Sequence, residues 1–203
     1  MDILQVFIVG LFFSFLGSIP PGTINISVMQ LSLNGQRSSA ISFGLGAAFV
    51  EFFYAAFAVW LQLFLVSKMD FTITFKVIAA MAMFALGVIN LISKKKKLPE
   101  QDRDSKRKGF MKGVVISIFN PLAIPFWIAV TTYLQSQNWL ALSKGTFWFY
   151  ILGISSGTFL LLALLAIIIS RLSFSFQNNF IVNKITGFIF LGLGFYTIMD
   201  IFS

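Results

Sequence analysis

Glu51 is the one acidic residue well inside a long apolar run of this 203-residue chain. A charge at such a depth costs at least about 2.5 kcal/mol on insertion scales, so it calls for a partner or a role. At three- and four-residue spacing its neighbours are Gly44, Ala47, Ala48, Tyr54, Ala55, Ala58 and Gln62. Phe49, Phe52, Phe53, Phe57 and Trp60 fall on the other face. On a helix this puts Glu51 on a small, polar stripe that faces other helices, with the aromatic bulk turned to lipid. The chemistry such a residue can do is to load and release a proton or relay a cation. Glu51, with Tyr54 one turn further, is the candidate proton-coupling pair. The plainer alternative is a protonated acid that only hydrogen-bonds a neighbouring helix.

Two further constellations interrupt apolar runs. The first reads Gly17-Ser18-Ile19-Pro20-Pro21-Gly22-Thr23-Ile24-Asn25, and the second Ser117-Ile118-Phe119-Asn120-Pro121-Leu122-Ala123-Ile124-Pro125. Proline removes a backbone donor and clashes with the preceding turn, so both stretches are expected to break a helix. In lipid the freed carbonyls must find partners, which places such breaks inside the protein or along a wet cavity. If the half-helices after Gly22 and after Pro121 both start near the membrane interior, their N-terminal amides favour an anion such as a carboxylate. The candidate substrate-binding residues are Pro21, Gly22, Thr23, Asn25, Asn120 and Pro121. The alternative is a pair of ordinary proline kinks.

The elements that must position these groups are membrane helices. The apolar fraction is 58% and only 11% of residues are charged, too few to solvate the surface of a globule this size. Six apolar stretches reach the roughly 20 residues a bilayer core needs: 3–33, 40–66, 71–92, 110–134, 144–169 and 180–202. None alternates as a barrel strand would. The expected fold is all-α, with six transmembrane helices as two inverted three-helix repeats. Residues 1–93 form the first repeat, 94–109 a basic cytosolic linker and 110–203 the second. Nine of the fifteen basic residues lie between Lys94 and Lys112. With Arg37, Arg171 and Lys184 they fall on one side, against Lys68, Lys76 and Lys144 on the other. The positive-inside rule then puts both termini outside and the linker in the cytosol of a plasma-membrane protein.

The repeat has its own traces. Pro21 and Pro121 lie 100 residues apart, while Gly46 and Gly153, like Gly87 and Gly194, lie 107 apart. An odd number of helices per half requires the halves to be inverted, a recurrent transporter plan. Gly153 and Gly157 form a Gly-xxx-Gly pattern that reads as close helix packing.

Several function classes are disfavoured. The chain has no cysteine and no histidine, which removes thiol chemistry and the commonest transition-metal ligands. No cofactor or metal is expected. The net charge of +8 is concentrated in a loop between apolar runs, which suits anionic lipid and not nucleic acid. The N-terminus lacks a basic n-region and reads as a first span rather than a signal peptide. No Walker-type Gly-x-x-x-x-Gly-Lys sequence is present, so energy would come from a gradient. An intramembrane enzyme would need cooperating catalytic groups, and a structural or assembly subunit would leave the breaks and the acid unexplained.

The Pro21-Gly22 break, the Asn120-Pro121 pair after a basic loop and the six-run plan resemble the LysE/RhtB-type amino-acid exporter family over essentially the whole chain. Thr23 and Ile24 stand where that family usually has a second proline and a polar residue, and Leu122 where lysine is frequent. The resemblance implies export of amino acids or similar carboxylate-bearing metabolites by proton antiport. The partners it implies are the lipid bilayer and a small-molecule substrate. A homo-oligomer is compatible with it. Glu51 follows from burial and not from a family motif.

Overall fold

The computed structural model describes residues 1–20, 22–66, 105–120 and 123–171, with isolated helical positions at 84, 88, 188, 191, 192 and 195. Apart from those positions, the expected spans 71–92 and 180–202 lie outside the described residues. So do the linker up to residue 104, the Gly87–Gly194 pair, Pro21 and Pro121.

The described residues form helices throughout: α1 Ile3–Gly17, α2 Thr23–Leu33, α3 Arg37–Val66, α4 Lys106–Ile118, α5 Ala123–Ser136 and α6 Phe147–Arg171. A reciprocal cap starts α1. The Gln5 amide donates to Asp2 Oδ1 at 2.8 Å and the Asp2 amide to Gln5 Oε1 at 3.2 Å. The helix stops at Gly17, just ahead of the two prolines that would deny it donors. Asn34-Gly35-Gln36 turns the chain into α3, with Gly35 at φ +74°, a left-handed conformation that favours glycine. Helix α4 begins at Lys106, earlier than the apolar run at Phe110. The last residues assigned to the linker are therefore helical, and Ser105 is tied to α3 through its amide on Ser39 Oγ at 2.9 Å. The axes of α4 and α5 meet at 72°.

Among the described residues, α3 over Arg37–Phe64 and α6 are each long and apolar enough to cross a membrane. The bent pair α4 and α5 makes a third span if counted as one. At 15 and 11 residues, or about 22 and 16 Å, neither α1 nor α2 crosses alone. Their exposed faces are apolar: Leu4, Ile8, Phe12 and Leu16 on α1, and Phe49, Phe53, Phe57, Trp60 and Phe64 on α3. Ala47, Ala48, Ala55, Ala58 and Gln62 of α3 are buried. Phe52, expected on the lipid face, is only partly exposed and stacks on Trp148 at 6.1 Å.

Two helix pairs hold the bundle together, and they match residue for residue. In α1·α6, the Phe7 carbonyl lies under Gly153 and the Tyr150 carbonyl under Gly10. In α3·α4, the Phe110 carbonyl lies under Gly46 and the Phe43 carbonyl under Gly113. Each glycine admits a neighbouring backbone where a Cβ would strike a carbonyl. Phe7 and Leu11 meet Gly153 and Gly157, and Ser39 and Phe43 meet Gly109 and Gly113; numbers rise together, so each pair is parallel. A shift of 103 carries α1 onto α4, and one of 107 carries α3 onto α6. Where α3 and α6 themselves touch, Ser155 Oγ donates to the Ala48 carbonyl at 2.8 Å, two residues that are again 107 apart.

Candidate functional site

The first break is closed from within. Asn25 is 5% exposed, and its Nδ2 donates to the Ser18 carbonyl at 2.7 Å and the Pro20 carbonyl at 3.3 Å. These are the carbonyls that the interrupted helix leaves without amide partners. The Asn25 Nδ2 is therefore engaged at the break itself. Gly22 is the N-cap of α2, with no side-chain cap, and the space where its Cβ would stand is empty. Thr23 is exposed at the first turn of α2, and its carbonyl accepts from Ser27 Oγ at 2.7 Å.

The second break is closed from another helix. Helix α4 ends at Ile118, whose carbonyl accepts from Tyr54 Oη of α3 at 2.6 Å. Asn120 is half-buried. Its amide donates to the Ser117 carbonyl at 3.0 Å, and its own carbonyl receives the Ala123 amide that opens α5. One turn before Tyr54, Glu51 Oε1 accepts a short hydrogen bond from Trp127 Nε1 of α5. Glu51 thus ties α3 to the half-helix after the break, and Tyr54 ties α3 to the half-helix before it.

The two breaks also touch. The ring of Phe126 fills the notch at Gly17, where a Cβ would come within 2.6 Å of its tip. Phe126 and Trp127 pack edge to face, with centroids 5.0 Å apart. The end of α1 and the Glu51 carboxylate are therefore joined through two consecutive aromatic residues of α5. An open depression of about 600 Å³ lies elsewhere, lined by Arg37, Ser42 and Lys106 among others, and contains none of the candidate residues.

The family profile described as LysE type translocator matches residues 15–200, which takes in both breaks, Glu51 and every element from α2 to α6. The chain belongs to the LysE type translocator family. Comparisons with curated proteins and with solved structures find no significant match.

As a member of that family the chain is a helical membrane protein whose class of activity is translocation. Of its candidate residues, Glu51, Tyr54 and Asn120 come together at the second break. Gly22, Thr23 and Asn25 belong to the first, and Pro21 and Pro121 lie outside the described residues. Sequence reasoning missed Trp127, Phe126 and Ser117. A buried indole N–H needs an acceptor, so a tryptophan inside the fourth apolar run was a usable signal for the partner of Glu51. Ser117 is 4% exposed, and its hydroxyl has no hydrogen-bond partner.

Proposed function

We propose that this translocator is a secondary transporter, not an enzyme, exporting amino acids or similar small carboxylate-bearing metabolites by proton antiport. Glu51 is the proton-coupling residue, and the two helix breaks flank the substrate path. The observation that carries this reading is the bond from Trp127 to Glu51. It ties the one acid of α3 to the half-helix after a break, so a change in its charge bears directly on the angle between α4 and α5. The family match supports translocation, and the resemblance to amino-acid exporters supports the substrate class. The uncapped N-terminus of α2 at Gly22, with open space beside it, suits a substrate carboxylate.

The architecture we propose is six spans as two inverted three-helix repeats, with both termini outside the plasma membrane. The constant shifts of 103 and 107 between the two parallel helix pairs support it. Parallel packing of α1 with α6 and of α3 with α4 is what a chain crossing six times gives when helices of like direction meet.

The test is transport in proteoliposomes loaded with a mixture of standard L-amino acids. Glu51→Gln keeps the shape and the acceptor for Trp127 but cannot ionise. It should lose uphill efflux driven by a pH gradient, by tenfold or more, and keep downhill exchange. Full pH-driven accumulation by this variant would remove Glu51 as the coupling residue and leave it as a packing hydrogen bond.

A further inference from the structure

Ser117 has a buried hydroxyl without a partner. Leaving such a group unsatisfied is costly in an interior, and a native structure that keeps one needs a reason. The correspondence between the two helix pairs supplies its surroundings. In α1·α6, Ser14 Oγ and Thr158 Oγ1 bond to each other at 2.9 Å. The shift of 103 turns Ser14 into Ser117, and that of 107 turns Thr158 into Glu51. Ser117 also lies one turn beyond Gly113, which rests on the Phe43 carbonyl, so it faces α3 at the next turn toward Glu51. Where one pair places a short hydroxyl opposite a serine, the other places a longer acid that reaches past it to Trp127. One carboxyl oxygen goes to the indole, and Ser117 Oγ stays unbonded on the facing helix.

We propose that Ser117 is a positioning residue that accepts from the O–H of Glu51 once the acid is protonated, a bond this structure does not contain. This rests on the reading of Glu51 as the proton-coupling residue. Trp127 can only donate, so it serves whichever oxygen presents a lone pair. A serine hydroxyl can rotate to accept from the O–H of the protonated acid. Protonation of Glu51 therefore supplies the partner that the buried hydroxyl lacks here. Titratable groups on the surrounding helices are otherwise engaged or distant. Tyr54 is bonded to Ile118, and the Tyr150 hydroxyl lies 3.3 Å from Thr131 Oγ1. Tyr133 is exposed on α5, and Lys112 sits five residues before Ser117. The other described cations of α3, α4 and α6 lie in their terminal turns.

The experiment is pH-difference infrared spectroscopy of the full protein in liposomes, paired with thermal unfolding. The carboxylic-acid band of protonated Glu51 is identified by its loss in Glu51→Gln. Ser117→Ala should move that band toward the frequency of an acid lacking a hydrogen bond, while Tm at a pH where Glu51 is ionised stays equal or rises because the hydroxyl is then unsatisfied. Ser117→Thr, which keeps the hydroxyl, should restore the band. An unmoved band in Ser117→Ala overturns the role of Ser117 and leaves the reading of Glu51 standing. A Tm drop in Ser117→Ala with an unmoved band assigns the hydroxyl to packing alone. Absence of any band that Glu51→Gln removes overturns both.

Discussion

The two parallel helix pairs have the same backbone contacts and opposite chemistry. In α1·α6 the polar groups at the interface satisfy each other, Ser14 with Thr158, and the nearby break is sealed by Asn25 of its own continuing half-helix. In α3·α4 the equivalent positions hold Glu51 and a serine without a partner, and the break is sealed by Tyr54 from across the interface. Closing a break from within makes it a fixed feature of one helix. Closing it from a neighbour makes its angle depend on that neighbour. Two pairs with the same backbone contacts thus close their breaks in different ways, and on the proposed reading only the second answers to the charge on Glu51.

The hardest test of that equivalence is to block both close approaches. Gly113→Leu and Gly153→Leu each push a side chain into a backbone carbonyl that cannot swing aside, a clash that exceeds the roughly 1–3 kcal/mol of ordinary overpacking. Both should abolish the monodisperse folded peak on size exclusion in detergent. A well-folded variant at one position and not the other would show that the pairs are not equivalent.

The fasteners of the two breaks should differ less sharply. Asn25→Ala strips partners from two carbonyls in a buried setting and should lower stability by about 1–3 kcal/mol. Tyr54→Phe releases only the Ile118 carbonyl, whose residue is half exposed, and should cost about 1 kcal/mol. Thermal unfolding of the two purified variants measures the order, and a larger loss for Tyr54→Phe would reverse it.

The smallest effect belongs to Thr158→Val. Interhelical hydrogen bonds in membranes average about 0.6 kcal/mol, so a shift in Tm of a degree or two is expected, with pH-driven transport unchanged. Loss of coupling in this variant would mean that the α1·α6 pair takes part in proton handling, and the division between the halves would fail.

Much of this was legible in the amino-acid order because it is local. Helix against strand follows from the absence of alternation, and the breaks follow from what Pro20 and Asn120 with their neighbouring prolines do to a backbone. The stripe of Glu51, Tyr54, Ala55 and Ala58 follows from the 3.6-residue period. The shift of 107 was visible in glycine spacing, and so was that of 103 in Gly10 and Gly113, yet nothing in the sequence ranked it above the 100 between Pro21 and Pro121. Packing picks it out: Gly10 and Gly113 each meet a carbonyl, and Leu11 and Val114 turn their backbone nitrogens to Gly153 and Gly46.

What only the tertiary structure decided is who meets whom. Trp127 is 76 residues from Glu51, and Ile118 is 64 from Tyr54, distances over which periodicity carries no information. Asn25 illustrates the limit best. Its position beside a helix break suggested a ligand contact, and the fold also gives its Nδ2 to two carbonyls that the break frees, a partnership spacing alone does not reveal. Composition and spacing determined that there would be breaks, an acid and a small-residue seam to carry it. Helix packing decided that the acid joins the second break, because glycines at Gly46 and Gly113 let α3 and α4 come close enough for Glu51 and Tyr54 to reach across.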